Sequence, residues 1–340
     1  MRGHRVTDLR DREQMRLFQE LTSRFVPAAF FLPLCAIGLL GCGGSGGASR
    51  NEPSATPSGV LRTYFFGHSL VNHTAPPAGP NQNIPTYLAA LSEASGVTYS
   101  NDGQFGALSY DLPPIHQWGI SGVTSAWNTD FATSDYTAVI WTDLNYVQYQ
   151  PPTVNYGGGV STSPVDNLAE ILTYVRQQEP DIPFYIYEHW NDMVGFAPLY
   201  PPTEPSATDL AAYYATSMEG GSWHQWWLDL QDAASAAYPG SDIKLIPVGP
   251  IIFTLLTDTP LRGIPFTDLY EDNAPHGETT LYFLAALVQY IAITGNRPSD
   301  NFVIPEEIHP AVSDNYALVL DRIWIELAMF VDGTGNSRVW

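Results

Sequence analysis

Apolar runs alternating with segments of helical spacing occupy residues 60–331, and this alternation constrains the fold more than any other feature of the chain. Val60–Phe66, Val97–Ser100, Thr137–Thr142, Phe184–Glu188 and Ile243–Val248 are strand-like. Ile84–Ala94, Val165–Gln178, Trp223–Ala237, Thr279–Thr294 and Val312–Val331 carry apolar residues at helical spacing. Strands that alternate with helices predict an α/β fold, with a parallel sheet covered on both faces. Its ligand site is expected outside the carboxyl ends of the strands.

The first fifty residues of the 340-residue chain belong to a different class. Arg16 and Arg24 precede an apolar segment, Phe25–Leu40, that ends Leu39-Leu40-Gly41-Cys42, the layout of a secretory signal with a small residue before the cut. Residues 39–42 resemble a bacterial lipobox. The resemblance implies cleavage before Cys42, lipidation of its thiol, and a protein exported and anchored to a membrane rather than spanning it. The apolar run, interrupted by Pro27 and Pro33, falls short of the roughly 20 residues of a spanning helix. Residues 1–14 are heavily charged and make a poor signal start, which points to Met15 as the initiator. The expected organisation is a signal over 1–41, a Gly/Ser/Pro-rich tether over 42–59 and one domain over 60–340.

This cut decides which chemistries are open. Cys35 lies in the signal and Cys42 is the acylation site, so the domain keeps no thiol for a disulfide, a metal or a nucleophile. Any nucleophile must be an oxygen. Without residues 1–41 the totals of 14 basic and 35 acidic residues fall to 8 and 31, a net charge near −23. Such a surface repels phosphate backbones, which excludes nucleic acid as a natural partner.

Polar residues cluster after the strand-like runs. They are Gly67-His68-Ser69-Leu70 after the first, Asn101-Asp102-Gly103-Gln104-Phe105-Gly106 after the second, Asp143-Leu144-Asn145 after the third, and Glu271-Asp272-Asn273-Ala274-Pro275-His276 before the helix at Thr279. In this order they resemble the blocks of the SGNH, or GDSL-type, hydrolase family. The resemblance covers residues 60–295. It implies a three-layer α/β/α sandwich with a mostly parallel, flavodoxin-like five-stranded sheet. It also implies Ser69 as nucleophile, His276 as base, and Gly106 and Asn145 as oxyanion donors beside the Ser69 amide. No cofactor is implied.

The residue types suit that chemistry independently of the name. A hydroxyl needs an imidazole within hydrogen-bond reach to take its proton, and the oxyanion that forms needs preorganised donors. The chain departs from the family pattern at His68, Asp143 and Tyr146, and most consequentially at Asn273, where the family has its acid. Asp272 is four residues before His276 instead of three. The carboxylate that orients His276 is therefore Asp272, Glu271, Glu188 or Asp192, or a serine–histidine dyad operates without one.

Plainer roles compete. Ser69 could be a helix cap, Asn145 and Gly106 turn residues, and His276 a loop residue between Pro275 and Gly277. The occurrence of all four in order favours catalysis. A metal site from His68, His73, His276 and Asp272 is the weaker alternative, because their spacing matches no compact metal motif. His68, Trp190 and Asn191 are candidate substrate contacts. Aromatic residues in loops, Trp118, Trp127, Tyr146, Tyr149, Tyr156 and Tyr200, suit the faces of sugars or an acyl group. The sequence thus points to an esterase removing an O-acyl group, most naturally acetyl, from a carbohydrate. The alternatives are a non-catalytic carbohydrate-binding lipoprotein on the same fold and a metal-assisted hydrolase.

Overall fold

In the computed structural model, residues 59–73, 82–106, 108–109, 112–113, 118–144, 150–156 and 161–340 are described. Cys42 and Asn145 lie outside them, as do Tyr146 and Tyr149. Residues 51–155 and 162–340 form one compact unit, and the elements below belong to it.

Five parallel strands build its sheet among the described residues: β1 (Val60–Gly67), β2 (Thr98–Phe105), β3 (Ala138–Trp141), β4 (Phe184–Glu188) and β5 (Ile243–Pro247). Their order is β2-β1-β3-β4-β5. This is the flavodoxin-like order, whose switch point lies between β1 and β3, where ligands bind beyond the carboxyl ends. Strands β1, β3, β4 and β5 are largely apolar because both faces are covered, and β3 and β4 are buried at every position; the edge strand β2 is buried from Tyr99 to Gln104 yet mostly polar.

The helical cover consists of α1 (Ile84–Ala94), α2 (Pro164–Gln178), α3 (Ala207–Ser217), α4 (Ser222–Ala237), α5 (Val248–Asp258), α6 (Thr279–Thr294), α7 (Pro310–Asp314) and α8 (Tyr316–Met329). Helices α1, α5, α6 and α8 pack together, and α2 packs with α4. From Thr280 to Thr294, α6 is buried on every side, as expected of a helix that is apolar all round. Local chemistry sets several boundaries. Asn83 and Ser163 cap α1 and α2 by accepting from Thr86 N and Asp166 N, and Gly295 ends α6 in the left-handed conformation.

Three features differ from the sequence reading. Residues 101–105 are not a loop after β2 but its second half, buried as far as Gln104, with Asp102 accepting hydrogen bonds from Ser125 Oγ (2.5 Å), Ala126 N (2.8 Å) and Tyr136 Oη (2.9 Å). The last helix breaks at Asn315 into α7 and α8. Helices α3 and α5 were not anticipated; α5 starts at the residue after β5 with no loop between.

Candidate active site

The turn that leaves β1 carries Ser69. Glycine is required at its start, because a Cβ on Gly67 would fall 2.9 Å from Val71 Cγ2. Val71 N and Asn72 N donate to His68 O at 2.9 and 3.2 Å, closing the turn. Two buried tyrosines clamp it from outside: Tyr282 Oη donates to Ser69 O at 2.8 Å, and Tyr187 Oη to Leu70 O at 3.2 Å. Burial holds both phenols far above their ordinary value, so they act as neutral donors. Sequence reading missed both clamps, since an apolar strand and helix are where core tyrosines belong.

His276 reaches this turn from the loop before α6. Its Nε2 lies 2.8 Å from Ser69 Oγ and its Nδ1 lies 2.7 Å from Asp272 Oδ2. The loop explains how an aspartate four residues upstream still meets the imidazole. Asp272 Oδ1 accepts from Ala274 N (2.9 Å) and His276 N (3.0 Å), folding the segment over its own carboxylate and leaving Oδ2 for the ring. Glu271 N donates to His276 O (2.9 Å) to close the loop, and outside bonds fix it in place: Trp190 Nε1 donates to Pro275 O (2.8 Å), Asn273 Nδ2 to Ala197 O (3.2 Å) and Tyr200 Oη to Tyr270 O.

These bonds assign the protons. Burial pushes the Asp272 carboxyl up, but the bonds from the His276 ring and from two backbone amides outweigh it and hold the group below its ordinary value. An ionised carboxylate accepts, so Nδ1 carries the imidazole proton and Nε2 accepts from the Ser69 hydroxyl. Both partners stay partly open to solvent, with 19% of the His276 side chain and 32% of the Asp272 side chain exposed.

The other carboxylates considered for His276 have different partners. Glu271 Oε2 lies 3.0 Å from His73 Nε2, Glu188 pairs with His224 Nδ1 at 2.9 Å, and Asp192 accepts from Val194 N at 2.7 Å.

Four other expectations are corrected. Gly106, at φ 140°, is a backbone necessity, but its N–H donates to Gly67 O at 2.9 Å and so extends the ladder instead of pointing at Ser69. The Ser69 N–H, by contrast, has no acceptor within the unit among the described residues. His68 is no substrate contact: its Nδ1 accepts from Leu70 N at 3.2 Å, so Nε2 carries the proton and donates to Asp143 O at 3.0 Å. Burial and the neighbouring His189 keep it neutral. Trp190 is fully buried, edge-on to Tyr282 at 5.8 Å, and serves as a strut under Pro275. Asn191 turns its amide to Thr216 Oγ1 at 2.7 Å.

Among the loop aromatics, Trp118 and Tyr200 are also buried, at 6% and 7% exposure. Phe105, 38% exposed and tilted against Trp118 at 5.4 Å, pairs in register with Gly67 two residues before the serine. Among the described residues no group of three histidine, cysteine or acidic side chains is arranged to hold a metal ion. His68 has both ring nitrogens engaged by backbone, which is why it joins no such set.

The turn after β1, the segment Asp143–Leu144 after β3 and the loop before α6 converge at the flavodoxin-like switch point, so the class of the fold is α/β with its polar cluster where such folds place ligands. No family model and no curated protein matches the chain. Among solved structures it is similar to a candidate SGNH hydrolase from Slackia heliotrinireducens, with 18% identity and a TM-score of 0.37 over 70% of this chain and all of that one. It is also similar to the Clostridium thermocellum family 3 carbohydrate esterase, with 10% identity and a TM-score of 0.36 over 68% of this chain and 94% of that one.

Proposed function

We propose that the chain is a serine esterase of the SGNH type. The observation that carries this reading is the unbroken series Asp272–His276–Ser69, with links of 2.7 and 2.8 Å, at the switch point of the sheet. Ser69 Oγ attacks the acyl carbon while its proton passes to His276 Nε2, and the Asp272 carboxylate stabilises the imidazolium that forms. The Ser69 N–H donates to the oxyanion, and Asn145 is proposed as a second donor. Collapse of the tetrahedral species expels the alcohol, which takes the proton from His276. Water, activated by the same imidazole, then frees the acid and regenerates Ser69.

The substrate class proposed is an O-acyl ester of a carbohydrate. Phe105 beside the serine turn supports it, as an aromatic face fits the apolar side of a sugar ring or a short acyl chain. Export and lipid anchoring through Cys42 are part of the same proposal and rest on the sequence. Labelling by a fluorophosphonate, abolished in Ser69→Ala, tests the nucleophile. A folded, unlabelled wild type would leave the carbohydrate-binding alternative in its place. Release of acetate from acetylated xylo-oligosaccharides, compared with p-nitrophenyl acetate, tests the alcohol part.

A further inference from the structure

A second histidine–carboxylate pair lies against the first. The His73 ring is stacked on His276 with centroids 4.0 Å apart and planes 14° from parallel. Its Nε2 faces Glu271 Oε2 at 3.0 Å, and only 3% of its side chain is exposed. Gln82 holds the arrangement from the far side: its backbone O accepts from His73 N at 2.9 Å, and its Nε2 donates to Glu271 Oε2 at 3.3 Å and to Gly277 O at 3.3 Å. By sequence His73 belongs only to the alternative metal set, and nothing in the proposed reaction uses it.

We propose that His73, oriented by Glu271, is a positioning residue that fixes the plane of the His276 imidazole and stabilises its protonated form during acyl transfer. The inference rests on the reading of Ser69 and His276 given above. The physical reason is geometric. Asp272 grips His276 in the plane of the ring and leaves rotation about that bond free, whereas a stacked ring of fixed orientation opposes it. When His276 takes the serine proton, the positive charge faces the π surface of a neighbour whose own N–H is polarised by a carboxylate.

For this the neighbour must itself be uncharged. Burial and the proximity of His276 lower the affinity of His73 for a second proton, opposed in part by Glu271 and Asp272. The groups that bear on the stacked pair are His68 from the turn after β1, Glu271, Asp272 and, through Gln82, Glu278 from the loop before α6, and Asp192, after β4, through Asp272. Of the four carboxylates, Glu271 and Asp272 favour a proton on His73 and so act against burial and His276, whereas Asp272 raises the pKa of Asp192 behind it.

The experiment is the pH profile of kcat/KM on p-nitrophenyl acetate for wild type and for His73→Ala, His73→Phe and Glu271→Gln, with fluorophosphonate labelling rates measured alongside. His73→Ala is expected to lower kcat roughly tenfold at little change in KM, the range one stacked cationic contact supplies. His73→Phe, which restores a ring face without the N–H, should recover most of that loss. Glu271→Gln should move the acid limb of the profile to lower pH in the wild-type background and have no effect on it in His73→Phe. The inference is overturned if folded His73→Ala and Glu271→Gln keep both the wild-type rate and the wild-type profile. It is also overturned if Glu271→Gln shifts the profile equally with and without the His73 ring. A wild type that the fluorophosphonate does not label fails at Ser69, and removes the function itself and this inference together. A labelled wild type with indifferent His73 variants removes the inference alone.

Discussion

Two histidine–aspartate or histidine–glutamate pairs in this molecule are alike in hydrogen bonding and opposite in surroundings. His276 meets Asp272 at 2.7 Å with both side chains partly exposed; His224 meets Glu188 at 2.9 and 3.0 Å with exposures of 9% and 0%. Asp272 also accepts two backbone amides and stays below its ordinary pKa. Among the described residues no backbone amide donates to the Glu188 carboxylate, and burial pushes it up to about 7 despite the imidazole. Beyond His276 lies a serine hydroxyl; beside His224 lies the ring of Phe330 at 5.7 Å. A histidine–carboxylate pair is therefore not in itself a catalytic signature. What distinguishes the two is the group at the second ring nitrogen and access to solvent.

The sharpest way to break this comparison is Asp272→Asn. It keeps the shape of the loop but removes the charge that holds the imidazole tautomer, and should lower kcat roughly 10,000-fold with little change in melting temperature. If Asp272→Asn instead unfolds the protein and leaves the activity of the folded fraction intact, the two pairs have been assigned the wrong way round. Glu188→Ala is the mirror experiment. It strands His224 without its partner and should cost about 3–5 kcal/mol in denaturant unfolding while the activity per folded molecule persists.

The pH dependence of stability separates the pairs further. Glu188 and His224 both have raised pKa values in the folded state, so the native pair holds protons that the unfolded chain releases. Its contribution falls as pH rises from 4.5, the ordinary Glu188 value, through about 7. His189, buried and neutral between Asp143 O and Trp190 O, is lowered from 6.5 to about 4. Here the unfolded chain binds the proton first, so about 3 kcal/mol is lost as pH falls through that window. The two contributions oppose one another in wild type. Glu188→Gln should remove one of them and steepen the rise of stability with pH between about 4.5 and 7, measurable by urea unfolding at fixed pH values.

The smallest effect expected is that of Trp190→Phe. It keeps a buried aromatic ring but removes the indole N–H that holds Pro275 O and leaves a small cavity, at a cost of about 2 kcal/mol in unfolding. Loss of activity greater than the loss of stability would show that the strut acts on His276 itself.

Much of the fold could be read from residue patterns because those patterns report burial directly. The span Ile84–Ala94 carries an Asn cap and an apolar face, and Thr279–Thr294 is an apolar run closed by glycine; both helices occupy those residues. Phe184–Glu188 is a strand with turn residues before it, and it too matches. Helix α3 escaped notice because only Tyr213, Tyr214 and Ser217 of it are buried, too few to give a periodic signal. Helix α5 escaped because Val248 continues the apolar run of β5, and Pro250, tolerated in a first turn, reads as a break.

The site divides in the same way. Ser69 and His276 stand out in the sequence because strand ends are marked by local composition and their chemistry is intrinsic to the side chains, and the fold brings the two within 2.8 Å. That Asp272 reaches His276 from one residue out of place was decided by a loop that folds over its own carboxylate, held by Trp190, Asn273 and Tyr200. That Gly106 spends its amide on Gly67, that Trp190 faces inward, and that His73 lies flat against His276 were decided by packing between segments up to about two hundred positions apart. The physical reason is one of range. Burial pattern, capping and residue chemistry are properties of neighbours along the chain, whereas the aim of an N–H or the partner of a ring depends on which distant segments the fold brings within a few ångströms.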